Sequence, residues 1–119
     1  MFKKILFPTD FSIGASHALS HAVRLADVRE GEIIVQHVVI DYFEGPHWTT
    51  IFDVHQLQKH LDAYVQNEMS RILPVGTETG LRVRKVISKG KPAPEITAAA
   101  NEEMVDLVVM RTSAHSRVM

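Results

Sequence analysis

Short apolar runs divide this chain, and the stretches between them repeat at helical spacing rather than in alternation. The first run, Ile5-Leu6-Phe7, is led by Lys3-Lys4 and closed by Pro8-Thr9-Asp10, which predicts a buried strand whose carboxyl end opens onto polar groups. From Ala15 the apolar positions Ala18, Leu19, Ala22, Val23 and Ala26 follow the period of a helix, with Ser12 placed to cap its start and Gly31 following its end. His17, His21 and Arg24 fall on the opposite face, so one side of this helix stays wet. Ile33-Ile34-Val35-Gln36-His37-Val38-Val39-Ile40 is apolar on both parities, the pattern of a parallel strand covered on both faces. A helix between two parallel strands makes a right-handed crossover.

From Asp41 to Phe52 the pattern breaks into an aromatic-rich connection holding Tyr42, Phe43, Trp48 and Phe52, which reads as packing or interface before it reads as a ligand lid. Thr50-Ile51-Phe52-Asp53 resembles a capping box. Val54, Leu57, Leu61, Tyr64, Val65, Met69, Ile72 and Leu73 then predict the longest helix, ending at Pro74. Gly76 and Gly80 punctuate a loop before Leu81-Arg82-Val83-Arg84-Lys85-Val86-Ile87, a strand whose scattered charges suit a guarded sheet edge. Ser88-Lys89-Gly90-Lys91-Pro92 is a turn whose proline can open a helix, and Ile96, Ala99, Ala100 and Met104 give that helix a modest stripe. Asp106-Leu107-Val108-Val109-Met110 reads as a fourth strand, apolar enough to be central. The polar stretch Arg111 to Met119 is too short for a further helix and strand.

Alternating strands and helices give the class: α/β, an open parallel sheet with helices on both faces. A chain of 119 residues is expected to form one domain and to bury roughly two-thirds of its unfolded surface, enough to do without a staple. The formal net charge of -1 argues against nucleic acid or an anionic membrane held by bulk charge. The absence of cysteine removes disulfides, thiolate metal sites and a cysteine nucleophile together. With no run near the roughly 18 apolar residues of a membrane span and no signal-peptide pattern, the expected location is cytoplasmic.

In open α/β sheets ligands settle beyond the carboxyl ends of the strands, where strand order reverses, which puts Asp10 at the mouth of the expected crevice. Of the seven histidines, His17 and His21 stand one turn apart, but no glutamate completes a zinc-protease pattern, so no metal site is expected. His37, inside a buried strand, is expected to hydrogen-bond a neighbour. A phosphorylatable Asp10 of the response-regulator type would need an acidic cluster there and an aspartate after the third strand, where Ser88 stands. Ser12, Ser16 and Ser20 have no triad base that sequence reveals, and no catalytic residue is expected.

The order and spacing of Lys3-Lys4-Ile5-Leu6-Phe7-Pro8-Thr9-Asp10-Phe11-Ser12, His37-Val38-Val39, Gly90-Lys91-Pro92 and Asp106-Leu107-Val108-Val109-Met110 resemble the universal stress protein family over nearly the whole chain. The resemblance implies a Rossmann-like, adenine nucleotide alpha hydrolase-like sheet of order 3-2-1-4-5, with ATP bound in many members at the carboxyl ends of strands one and four. Carried across, it implies that Pro8 and Asp10 border adenine and ribose with Thr9 between them. Val38 would offer its backbone to the base beside Val39, Gly90 would line the site, and Met110 would end the strand beneath the phosphates, followed by Arg111.

The departures carry expectations of their own. Where ATP-binding members of the family have Gly-x-x-Gly, this chain has Arg111-Thr112-Ser113-Ala114, and a guanidinium and a methyl replace two residues that would let backbone amides wrap phosphate oxygens. ATP binding is therefore expected to be weak or absent. The family's fourth helix and fifth strand are not matched, so the domain is expected to be carboxyl-terminally truncated, with order 3-2-1-4. Its last strand would be an open edge that drives self-association, most simply into a homodimer. The expected role is a non-catalytic stress-response module. The alternative is an ATP-binding protein or slow ATPase whose phosphate site is completed by a longer parent chain or a partner.

Overall fold

The computed structural model describes residues 1–40 and 54–111. The aromatic connection from Asp41, the Thr50 to Asp53 capping box and the segment after Arg111 lie outside the described residues. Strand β1 (Lys4–Pro8) is followed by helix α1 (Ile13–Leu25) and β2 (Glu32–Val39). Then come α2 (Val54–Ile72), α3 (Val75–Thr79), β3 (Arg82–Lys89), α4 (Pro92–Glu103) and β4 (Leu107–Val108). The strands form one parallel sheet in the order β3-β2-β1-β4, so the order reverses between β1 and β4, as in the expected α/β architecture.

Burial follows the sequence pattern. Ile33 to Gln36 are buried on both parities, as is β1 from Ile5 to Pro8, because these strands occupy the middle of the sheet. One face packs Ile5, Phe7, Ile33 and Val35 against Ala15, Ala18 and Ala22 of α1 and Val65 and Met69 of α2. The alanines bring α1 close to the sheet. The other face sets Leu6 and Ile34 against Ala99, with Ile96 and Val86 at the margin. β3 is the guarded edge, with Arg82, Arg84 and Lys85 exposed.

Three expectations are corrected. β4 is not central: it is outermost among the described strands, pairs only Leu107 and Val108 with β1, and leaves Val108 and Met110 exposed. Its brevity has a cause in β1. After the Val109 amide reaches the Leu6 carbonyl, the next bond of a parallel ladder would need an N–H at Pro8, which has none. The loop of Gly76 and Gly80 contains a short helix, α3, ended by Gly80 in the left-handed region at φ 78°. Gly31 does not close α1, whose cap is Ala26 in extended conformation. It belongs to the turn before β2, where its amide donates to the Asp27 carbonyl and a Cβ would sit 2.4 Å from that oxygen.

Candidate functional site: the carboxyl-end crevice

The crevice begins where β1 runs out. Beyond Pro8 the Thr9 hydroxyl accepts from the Phe11 amide at 3.0 Å, and the Asp10 carboxylate accepts from the Ser12 amide at 3.0 Å. These two short side-chain turns bend the chain and hold Phe11 at φ 65°, a region bulky residues seldom occupy. The Ser12 hydroxyl then accepts from the Ala15 amide at 3.1 Å and caps α1, as its position in the sequence predicts.

Arg111, just beyond β4, reaches back over this turn. Its Nη1 donates to Asp10 Oδ2 at 3.2 Å and to Ser12 Oγ at 2.9 Å. The guanidinium lies over Gly14, so close that a Cβ there would stand 3.1 Å from Arg111 Nε. Burial alone would push the Asp10 carboxyl up. The hydrogen bonds from Ser12, then the charge of Arg111, outweigh it and hold the group below its ordinary value. Asp10 is thus a fixed anion paired with Arg111, not a poised base.

The second side of the crevice comes from β2 and the turn after β3. His37 Nδ1 stands 2.8 Å from the Thr9 carbonyl, which can only accept, so the proton is on Nδ1. The ring stacks on Phe11 with centroids 4.4 Å apart, and Tyr64 of α2 meets Phe11 edge-on at 6.0 Å. Val38 and Val39 are half-buried, and the Val39 carbonyl accepts from the Gly90 amide at 2.9 Å. Gly90 has φ 142°, where a side chain would be strained and would crowd Glu95. Met110 is half-exposed beside Arg111.

The structure therefore brings Pro8, Thr9, Asp10 and Arg111 together on one side, and Val38, Val39 and Gly90 on the other. The expected hydrogen bond of His37 is present. His17 and His21 are exposed on α1, and no group of three or more metal-ligating residues occurs among the described residues. No helix among them is long and apolar enough to cross a membrane.

Two features of the site escaped the sequence reading. Ser12 serves as an acceptor for Arg111 as well as a cap. Gln36, fully buried, donates from Nε2 to Ser88 Oγ and to the Glu95 carbonyl, both at 3.1 Å, and so ties β2 to the start of α4. A glutamine directly after Ile33-Ile34-Val35 in the strand was a visible signal, since a buried amide needs partners.

Comparison with known proteins gives the family and the fold. The family model described as the universal stress protein family matches residues 1–119. A universal stress protein of Methanocaldococcus jannaschii is 31% identical over 123 residues, which span 92% of this chain and 76% of that one. The solved structure of that protein superposes with a TM-score of 0.77, covering 91% of this chain and 73% of it. A universal stress protein of Lactobacillus plantarum, 25% identical, superposes with a TM-score of 0.78 over 98% of this chain and 83% of that one. A family member from Arabidopsis thaliana, solved with AMP bound, shares the fold at 16% identity, with a TM-score of 0.72 over 98% and 80% of the two chains. Sequence motifs, strand order and these likenesses converge, and the chain belongs to the universal stress protein family.

Proposed function

We propose that this protein is a non-catalytic regulatory module of the stress response that binds ATP weakly or not at all and acts through self-association. One observation carries this reading: the Arg111 guanidinium covers the first turn of α1 and is already paired with Asp10 and Ser12. A triphosphate wants converging backbone amides and an unopposed positive field. Here the field of Arg111 is met by a carboxylate, and the sequence Arg111-Thr112-Ser113-Ala114 stands where the resemblance places the Gly-x-x-Gly of ATP-binding family members. Self-association is supported by β4, the outermost described strand on its side, with Val108 and Met110 exposed.

A second reading has its own support. Gly90 keeps the positive φ that admits a ligand against backbone, and the Arabidopsis relative binds AMP in this fold. In that reading Pro8, Thr9, Asp10, Val38, Val39, Gly90, Met110 and Arg111 line a nucleotide site, and another chain or a longer parent completes its phosphate end.

Extraction of the purified protein with acid, followed by ion exchange of the supernatant with absorbance read at the adenine band, separates the two. The proposal expects no stoichiometric nucleotide. Recovery of about one adenine nucleotide per chain contradicts it.

A further inference from the structure

A cavity of about 420 Å³ opens on the α1/α2 side of the sheet, between the first turns of α1 and the turn from α2 into α3. Its volume lies in the range of small-molecule sites, about 300–1,000 Å³. It shares Thr9, Phe11 and Ser12 with the crevice, and Val38, Gly90 and Met110 are not among its lining residues. Phe7 of β1 forms its base, and Leu19, Ile72 and Val75 form walls that are only partly covered. Phe11, whose backbone is held at φ 65°, also lines it. Strain of this kind persists only where surrounding contacts enforce it, and it concentrates at binding sites.

The charges around the opening are unbalanced. Glu68 pairs with Arg71 at 3.5 Å across one turn of α2, which leaves the Glu78 carboxylate without an ion pair among the described residues. The α1 side lines the cavity with Ser12, Ile13, Ser16 and Leu19, none of them charged. The positive pole of α1 is already answered by Asp10, which accepts the Ser12 amide, and Arg111 is paired with the same carboxylate.

We propose that this cavity is a ligand site, distinct from the carboxyl-end crevice, which takes a small amphipathic cation: a compact apolar body seated on Phe7, Leu19 and Ile72 with one primary ammonium group paired to Glu78. The apolar walls supply most of the attraction, since covering them removes apolar surface from water. The charge supplies the selectivity, because an anion of the same shape would meet uncompensated Glu78.

The test is a ¹H–¹⁵N NMR titration of the full chain with 2-phenylethylammonium and, separately, with 3-phenylpropionate. The site requires saturable shifts confined to amides of residues 12–19 and 68–79, with the amine binding about three- to fivefold more tightly than the acid, the ratio expected of one partly exposed ion pair. Glu78→Gln should remove that preference, and 0.5 M salt should shrink it. Ser16→Phe, which fills the cavity from an exposed position of α1, should abolish the shifts while the rest of the spectrum stays folded. Shifts that do not saturate, an acid that binds as tightly as the amine, or an unchanged preference in Glu78→Gln would each overturn the proposal.

Discussion

Gln36 Oε1 is buried and has no hydrogen-bond partner among the described residues, although the other half of the amide holds Ser88 and the Glu95 carbonyl. The two halves pull in opposite directions energetically. Truncation to alanine leaves a void and orphans both partners, and should cost about 2–4 kcal/mol in urea unfolding. Leucine keeps the volume and removes the unsatisfied oxygen, which offsets part of the lost bonds, so Gln36→Leu should be milder than Gln36→Ala by about 1–2 kcal/mol. Equal losses would mean that packing alone matters at this position. Arg111 works differently: it is half-exposed, so its pairing with Asp10 adds little to stability.

At the scale of elements, ion pairs fasten the amino ends of the strands. Arg84 of β3 bonds Glu32 of β2 and Glu103 at the end of α4, while Asp106 accepts the amides of Lys3 and Lys4. The Arg84 hydrogen bond holds the Glu103 carboxyl low despite partial desolvation, and the amides of Glu30 and Arg29 do the same for Asp27. With Asp10, these groups have folded values below their unfolded ones, so the unfolded chain binds more protons in acid. Their contribution is fully present above the ordinary carboxylate values, near pH 4–5, and is lost as pH falls through the lowered folded values. Urea midpoints should therefore drop between about pH 5 and pH 3, and Glu103→Gln should make that slope shallower. A slope identical in Glu103→Gln would exclude this pair as a contributor. The same scale shows what the sequence made legible. β1, α1, β2 and the charged edge β3 followed from period and composition, because their burial is set by their own side chains. The outer position of β4 followed from the expected order 3-2-1-4, but its length did not, because that depends on a missing N–H in another strand, at Pro8. The Arg111 clasp was equally hidden, since it joins residues about a hundred positions apart through a bend that two hydroxyl and carboxylate turns create.

For the whole molecule, the sheet has one guarded edge and one open among the described residues, β3 with its arginines and β4 with Val108 and Met110 exposed. Light scattering coupled to size exclusion should show a dimer at working concentration, and Val108→Lys should shift the population toward monomer. A monomer at every concentration tested would remove self-association from the account. In the crevice of this universal stress protein fold the Arg111 guanidinium is paired with Asp10 over the first turn of α1, and the proposed function has it take the place of bound phosphates. Titration calorimetry with Mg-ATP on the unmodified chain tests it most directly, with Arg111→Gly/Ala114→Gly as the comparison. The proposed function expects no resolvable heat at micromolar protein and at least about a tenfold gain in affinity for the double variant, which restores glycine at both positions. A micromolar dissociation constant for the unmodified chain would contradict it.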